Sequence, residues 1–422
     1  MTTRPSYSYD QEFPQHTESR KGERGREPDM KKTRNSRLAR MAIVLVAICL
    51  VYAVWSNTGR GLPAAEPRLF LNYTAQFGSD SGVGNLLYVQ PYMLTSDYAG
   101  GESFKSKIGG YLEAAKQKGW INPKTIVVLP EYVGTWLVVA GEKRGVYSAG
   151  TTMDAMRLVV LSNVGRMIPA YARAVGSDRM RAAIFEMKSA QMARLYNNAL
   201  SSLARQYGVT IVGGSIVLAA PYIKSGALVS GSGPLYNVCP VYAPSGRALP
   251  SLVRKAFPTN DETSFIKPGR ISDLPVFDTA FGKLAVIICA DSWYPDTYRV
   301  AKQKGAAVAV TVSFGCSQKD WDSPWQGYSG HAAPDDVDKS DVGKLTERQA
   351  LLKYSSAGRL RTNGIEDGSQ FFLEGKLWDL RCGGAGMIVR YGNTKELPYK
   401  GGASLVNVWM LRPRLTDRGR RR

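Results

Sequence analysis

One cysteine in the second half of the chain directly follows an apolar run, where its thiol can act as a nucleophile. Residues 285–288 are Ala-Val-Ile-Ile, Cys289 comes next, and polar residues follow from Asp291 onward. A β-branched run of this kind predicts a buried strand, and the end of a strand is where α/β proteins usually place reacting groups. A buried structural cysteine is the alternative, because free cysteine is among the most buried residue types.

A nucleophilic thiol needs a base or a neighbouring cation, because a thiol with a pKa of about 8.5 is mostly protonated at neutral pH. Histidine, a common partner, is scarce: the chain has only His16, in a polar stretch, and His331, in a stretch rich in glycine, proline and aspartate. If Cys289 is a nucleophile, its base is therefore expected to be a carboxylate. Glu131 suits this role, since it follows the apolar run 125–129 and Pro130 at a second predicted strand end.

The other four cysteines, Cys49, Cys239, Cys316 and Cys382, show no C-x-x-C spacing, and the total of five is odd. This pattern indicates neither a disulfide framework nor a zinc cluster. We therefore expect no metal and no cofactor, and we expect the thiols of Cys239, Cys316 and Cys382 to be inert.

Strands that alternate with helices must position these groups. Predicted strands cover residues 86–90, 125–131, 208–217, 285–288, 306–313, 369–373, 386–390 and 403–411, and predicted helices cover 104–119, 152–206 and 298–304. Residues 315–345 are polar and rich in glycine, proline and aspartate, which predicts a long loop. The alternation favours an α/β fold with a mixed sheet in one domain.

Three segments occur in a fixed order along the chain: Val-Leu-Pro-Glu131-Tyr, Val-Arg-Lys255-Ala-Phe-Pro and Ile-Ile-Cys289-Ala-Asp. Together they resemble the Glu-Lys-Cys signature of the nitrilase superfamily of carbon–nitrogen hydrolases. Further segments similar to that family are Tyr236-Asn237, Pro244-Ser-Gly246, the series Asp291, Tyr294-Pro295-Asp296 and Arg299 after the cysteine, and Arg361-Thr-Asn363. The resemblance covers residues 69–411. It departs at Ala290, where the family commonly has an aromatic residue.

The resemblance implies an α/β fold with four layers, an α-β-β-α sandwich, in which Glu131 is the base and Cys289 attacks an amide or nitrile carbon to form a thioester. Lys255 would favour the thiolate and stabilise the oxyanion, and the backbone N–H of Ala290 would be the second oxyanion donor. Glu262 matches a second glutamate that positions the lysine, although the adjacent Asp261 is an alternative. Members commonly dimerise, so a homodimer is a further option.

Each of these residues also has a structural interpretation. Glu131 alone would more often be a solvated loop carboxylate and Lys255 alone a surface charge, because such residue types are mostly exposed. Asp291 can cap a helix that begins near Ser292. Only the ordered set favours the catalytic interpretation.

An apolar run at residues 41–55 predicts a membrane segment, although it is shorter than the roughly 17–25 residues of most spans. Basic residues precede it, namely Lys31, Lys32, Arg34, Arg37 and Arg40, which keeps the N-terminus cytoplasmic and exports the rest. A cleaved signal peptide and a buried helix are the alternatives, but no A-x-A-like site follows the run, and a predicted disordered tail and a loop at 56–67 flank it. We predict a disordered cytoplasmic tail at 1–40, a transmembrane anchor at 41–56, a carbon–nitrogen hydrolase domain at 68–411 and a basic tail at 412–422.

The favoured function is therefore a membrane-anchored amidohydrolase with its catalytic domain outside the cytoplasm and a small amide or acyl compound as substrate. An acyltransferase with the same acyl-enzyme chemistry and a non-catalytic scaffold on the same fold are the alternatives. The net charge of +20 could attract nucleic acid, but no RNP, zinc-finger or helix-turn-helix pattern accompanies it, and we expect no nucleic-acid partner.

Overall fold

The computed structural model of the protein describes residues 30–63, 65–315 and 321–411. Residues 1–29 of the predicted disordered tail, the predicted basic tail at 412–422, residues 316–320 of the predicted loop and Cys316 lie outside the described residues. The chain packs as two units, one ending at Val54 and the other beginning at Trp55. The second unit starts before residue 68, where the domain is predicted to begin, because residues around Arg60 are hydrogen-bonded within it.

The first helix, α1, spans Met30–Asn57. Its residues 37–57 are long and apolar enough to cross a membrane, by length and composition. The helix also includes residues 30–40, contrary to the disordered tail predicted for 1–40. Lysine and arginine are good helix formers, and no glycine or proline interrupts residues 30–57, so nothing local ends the helix before the apolar run.

The second unit alternates helices and strands, as an α/β chain does. Its helices are α2 Gly101–Gln117, α3 Arg144–Tyr147, α4 Thr152–Leu161, α5 Val164–Arg173, α6 Arg179–Tyr207, α7 Asn260–Thr263, α8 Pro295–Gln303, α9 Glu347–Tyr354 and α10 Ser356–Thr362. Its strands are β1 Leu71–Phe77, β2 Asn85–Gln90, β3 Tyr92–Leu94, β4 Thr125–Val128, β5 Thr210–Val212, β6 Ile216–Lys224, β7 Ala227–Cys239, β8 Val241–Tyr242, β9 Val253–Arg254, β10 Val276–Thr279, β11 Gly282–Ile288, β12 Ala306–Ser313, β13 Asp367–Phe372, β14 Glu374–Leu377, β15 Leu380–Cys382, β16 Met387–Arg390, β17 Asn393–Glu396 and β18 Ala403–Trp409.

One mixed sheet, which we call sheet A, has the strand order β1-β18-β2-β4-β5-β8 in the described part of the chain. Strands β2, β4 and β5 run parallel, whereas β18 is antiparallel to β2. Successive side chains of a strand point to opposite faces. Accordingly, Leu87 and Val89 of β2 pack with helices α2 and α6, while Leu86 and Tyr88 belong to a second core on the other face.

The second mixed sheet, sheet B, has the order β10-β11-β12-β13-β16-β17 within the described ranges, with β11, β12 and β13 parallel. Tyr88 of sheet A stacks on Phe371 of sheet B with ring centroids 4.2 Å apart, so the two sheets share a core. A stacked aromatic pair adds about 0.5–1.5 kcal/mol beyond the area it buries. Tyr298 of α8 and Leu360 of α10 are buried in the same cluster, and both helices contact strands of sheet B.

The layers therefore follow the order helix, sheet, sheet, helix, and the predicted α/β class is confirmed. Strand β4 of sheet A ends three residues before Glu131, and β11 of sheet B ends one residue before Cys289. Each strand delivers its residue from its carboxyl end, which is where reacting groups collect in parallel sheets.

Candidate active site

The chain after β4 carries Glu131 into the interior. Leu129 still donates its N–H to Val212 of the neighbouring strand at 3.0 Å, and the next residue but one is Glu131, whose side chain is buried. Gly214 makes this close packing possible: it has φ +75°, and a Cβ there would lie 2.2 Å from the carbonyl oxygen of Pro130. Only glycine can adopt a left-handed backbone conformation and also let another chain segment approach its α-carbon this closely.

Lys255 follows the short strand β9 and points at Glu131. Its backbone N–H donates to the carbonyl of Asn237 on β7 at 3.0 Å, which fixes the start of its loop. Its Nζ lies 2.9 Å from Glu131 Oε1 and 2.7 Å from Glu262 Oε2, and all three side chains are buried. A buried ammonium needs such partners, since an unpaired charge in the interior is costly.

Glu262, rather than its neighbour Asp261, is the second carboxylate of this cluster. It lies on the single-turn helix α7, where Thr259 donates its N–H to Glu262 Oε2 at 2.8 Å. The hydroxyl of Tyr132 donates to the other carboxylate oxygen. Asp261, the alternative considered from the sequence, is exposed and is not part of the buried cluster.

Cys289 sits on a sharp turn at the end of β11. Its backbone has φ +44°, in the left-handed region that residues other than glycine rarely adopt. Such a conformation costs about 1–3 kcal/mol and is typical of active sites. The Sγ atom lies 3.6 Å from the carbonyl oxygen of Phe314, and the residue as a whole is partly exposed.

The backbone of Phe314 connects the carboxylate with the thiol. Its N–H donates to Glu131 Oε2 at 3.0 Å, and its carbonyl accepts from Cys289 Sγ at 3.6 Å. Strand β12 ends at Ser313, so Phe314 reaches the site from the strand next to β11. Phe314 is not predicted from the sequence, because its contacts are made by main-chain atoms and no side-chain type signals them.

Two further polar residues complete the site. Asn237 donates from Nδ2 to Glu131 Oε1 at 2.9 Å, and it belongs to the Tyr236-Asn237 pair that resembles the family. Asp291 accepts the backbone N–H groups of Ala256 at 3.0 Å and Phe257 at 2.7 Å. Asp291 therefore ties the loop after Lys255 to the turn after the cysteine, and its side chain does not cap the helix as the structural alternative predicts.

Burial dominates the electrostatics of the site. It raises the pKa of the Glu131 carboxyl, and the nearby charge of Glu262 adds to this, while the Lys255 ammonium opposes it. Burial alone would lower the pKa of Lys255, but the two carboxylates outweigh it and raise that pKa. Burial and then the Glu131 charge raise the pKa of the Cys289 thiol. The resting thiol is therefore protonated, and it needs a base at the moment of reaction.

The predicted 315–345 loop packs against the turn after Cys289 in its described part. Tyr328 donates its hydroxyl to the carbonyl of Trp293 at 2.9 Å, and the Trp325 ring stacks on that of Trp293 at 5.8 Å. These contacts support the segment Cys289–Trp293, in which Ala290 is buried. In the described residues, no group of three or more His, Cys, Asp and Glu side chains is placed to hold a metal ion.

We expect Lys255→Met to destabilise the second unit strongly, because it leaves the Glu131 and Glu262 carboxylates buried without their cation. Breaking a buried ion pair in this way costs about 3–5 kcal/mol. Urea unfolding followed by tryptophan fluorescence measures this loss. Lys188→Met is the matched control, since Lys188 is equally buried and lies 2.7 Å from Glu142 Oε1 in another part of the unit.

Lys188→Met should lose less free energy of unfolding, because Glu142 keeps its 2.9 Å ion pair with Arg60, and only Lys255→Met should lose activity per folded molecule. An unfolding midpoint of Lys255→Met equal to that of the native chain would contradict the buried cluster.

Known proteins show the same family relationship as the sequence motifs. The carbon-nitrogen hydrolase family profile matches residues 106–333. A probable nitrilase of Schizosaccharomyces pombe is 33% identical over 91 residues, covering 22% of this chain and 30% of that protein. A probable hydrolase of Bacillus subtilis is 29% identical over 116 residues, covering 28% of this chain and 20% of that protein. The chain therefore spans less than a third of the length of these curated relatives.

Solved structures to which the chain is similar include the amidase from Nesterenkonia sp. AN1 and the carbon-nitrogen hydrolase from Helicobacter pylori G27. The amidase has a TM-score of 0.46 and 14% identity, covering 78% of this chain and 92% of that one. The second structure has a TM-score of 0.46 and 15% identity, covering 77% and 89%.

Proposed function

The chain belongs to the carbon–nitrogen hydrolase family, and we propose that it cleaves a non-peptide amide bond through a cysteine thioester. The observation that carries the proposal is that Glu131 forms an ion pair with Lys255 and is linked to the Cys289 thiol through the backbone of Phe314. A carboxylate, an ammonium and a thiol within one buried cluster supply the base, the fixed positive charge and the nucleophile that acyl transfer needs.

In the first half of the reaction, Glu131 takes the thiol proton as the Cys289 sulfur attacks the amide carbon. The carbonyl oxygen becomes an oxyanion, which the Lys255 ammonium and the N–H of Ala290 stabilise. Glu131 then gives its proton to the nitrogen, the carbon–nitrogen bond breaks, and the amine leaves. Glu262 holds Lys255 in place through the 2.7 Å ion pair and is a positioning residue in this scheme.

In the second half, water replaces the amine. Glu131 removes a proton from the water, the resulting hydroxide attacks the thioester carbon, and the carbon–sulfur bond breaks to release a carboxylic acid and the restored thiol. Because the same thioester can react with an amine instead of water, the choice of acceptor separates a hydrolase from an acyltransferase.

Trapping of the acyl-enzyme tests this function. The purified chain is incubated with a panel of small amides and matching nitriles, ammonia release is measured, and the intact mass is recorded after rapid acid quenching. We expect ammonia release from at least one amide and an added acyl mass on the peptide that contains Cys289. A chain without amidase activity, whose Cys289 also fails to react with iodoacetamide at neutral pH, would instead be a scaffold. Acyl transfer to an added amine in preference to water would identify an acyltransferase.

We further propose that residues 41–56 anchor the protein in the cell membrane, with the N-terminus cytoplasmic and the catalytic unit outside. The length and apolar composition of residues 37–57 support this, as do the basic residues before the run. Protease added outside intact cells should digest the catalytic unit, and full protection would overturn this orientation.

A further inference from the structure

We propose that an apolar surface of the catalytic unit docks on an anionic lipid bilayer, an inference that rests on the proposed membrane anchor. This surface, the docking face, consists of Met153 on α4, Ile168 and Tyr171 on α5, Val175 after α5, and Met180 at the start of α6. Ile168 is 67% exposed, Met153 62% and Val175 57%. A group of large apolar side chains exposed together marks a protein or membrane contact.

Helix α5 is apolar on the side that it turns outward. Met167 and Ala170 are buried against the unit, while Ile168 and Tyr171, which alternate with them, are exposed. A surface helix that packs only on its own core normally keeps its outer side polar. The exposed residues of α5 therefore combine large apolar side chains with Arg166 and Arg173, as in helices that lie at a bilayer interface.

Four arginines and three carboxylates border the docking face, so its rim carries a net positive charge. Arg157, Arg173 and Arg181, which are about half exposed or more, form ion pairs with Asp154, Glu186 and Asp178, while the guanidinium of Arg179 lies 4.5 Å from the centre of the Tyr171 ring. Apolar side chains bordered by basic ones are typical of helices that lie in the interface of an anionic bilayer. A partner protein with an apolar patch would not require this rim.

The chain connection brings the docking face to the membrane. Helix α1 ends at Asn57, and Arg60 donates to the carbonyl of Ser162 at 2.7 Å and to Glu142 Oε2 at 2.9 Å. Ser162 lies between α4 and α5. Three residues reach at most roughly 11 Å, so an α1 that spans the bilayer leaves this junction close to the lipid surface.

Residues beside the docking face are hydrogen-bonded to the segment that carries Glu262. Asp178 donates its N–H to the carbonyl of Ser264 at 3.1 Å, and Arg181 Nη1 donates to the carbonyl of Asp261 at 3.0 Å. Both acceptors lie within two residues of Glu262. Docking would therefore turn the Glu262 side of the site toward the membrane, which favours amide substrates that gather at the bilayer surface.

Site-specific fluorescence in the full-length chain tests the docking. In a Cys49→Ser, Cys289→Ser, Cys316→Ser background, the described thiols that remain, Cys239 and Cys382, are buried. Ile168→Cys is labelled with an environment-sensitive fluorophore and reconstituted into vesicles of phosphatidylcholine, with or without phosphatidylglycerol and with brominated acyl chains as quenchers. Val342→Cys is the matched control, because Val342 is an exposed apolar residue outside the docking face.

We expect the label at position 168 to be quenched in vesicles that contain phosphatidylglycerol, less so in phosphatidylcholine alone, and the label at 342 to stay unquenched in both. A chain that floats with the vesicles while both labels stay unquenched would overturn docking and leave the anchor intact. A chain that does not float would overturn anchor and docking together. Amide hydrolysis is measured on the unlabelled native chain, so its failure is distinguished from both.

Discussion

Cys289→Ala should abolish amide hydrolysis while leaving the catalytic unit folded. The variant keeps the β-carbon at the strained φ of +44° and removes only the sulfur, so neither the turn nor the neighbouring Phe314 backbone loses a strong contact. Without the sulfur no thioester forms. Removal of a nucleophile from a comparable catalytic set lowers kcat by on the order of 10⁶-fold.

Initial rates of ammonia release, with circular dichroism and the unfolding midpoint as checks of folding, measure this effect. Cys382→Ala is the matched control: Cys382 is buried on β15, makes no contact with the cluster and should give native activity. If Cys289→Ala retained a measurable fraction of the native rate well above the uncatalysed reaction, the thioester mechanism would be wrong.

The sequence predicts the parts of the site that depend on local patterns. Strands β11 and β4 contain short β-branched runs, and Cys289 and Glu131 follow their ends by one and three residues, so both residues stand out without knowledge of the fold. Lys255 does not: the sequence predicts a strand at residues 251–255, which is found as the short β9, Val253–Arg254, but no long apolar run marks the lysine as reactive. The role of Lys255 can be predicted only from the family resemblance, and its position is set by the pairing of β9 with β7.

Other elements differ from the predictions for reasons of tertiary structure. The single strand predicted at 208–217 is two strands, because Gly214 turns the chain with φ +75° between β5 and β6. Strand β7 is not predicted before Pro234, since Ser-Gly-Ser-Gly at 230–233 carries no strand signal, and pairing with β6 holds that segment extended. Helices α9 and α10 are not predicted, since a single turn or two of mostly polar residues shows little periodicity.

The way the cluster is assembled explains why sequence spacing alone cannot establish it. Glu131 arrives from sheet A and Cys289 from sheet B, and the backbone of Phe314 hydrogen-bonds with both. Asp291 then joins the cysteine turn to the lysine loop through main-chain N–H groups. In a contact between a side chain and the main chain, the residue that contributes its main-chain atoms can be of almost any type. Such contacts therefore leave no motif in the sequence.

Glu131→Gln should lower kcat/KM by about 10²–10⁴-fold, the range that general acid–base catalysis contributes. Glutamine has nearly the shape of glutamate but cannot take the thiol proton. The fold should persist, since Lys255 keeps its 2.7 Å ion pair with Glu262. The single amide oxygen of glutamine replaces the two carboxylate oxygens of Glu131, which accept hydrogen bonds from Lys255, Asn237 and Phe314.

The pH profile separates loss of the base from a general disturbance of the site. In the native chain Glu131 must be ionised to accept the proton, so kcat/KM should rise as the pH increases through its pKa, which burial holds above the usual value of a glutamate. This rising limb should be absent in Glu131→Gln.

Glu142→Gln is the matched control, because it also neutralises a buried glutamate that is paired with a lysine. Since Glu142 lies away from the thiol, this variant should keep both the rate per folded molecule and the rising limb. An unchanged limb in Glu131→Gln would assign the base to another group, and Asp291, whose pKa burial raises to about 7, would be the next carboxylate to replace.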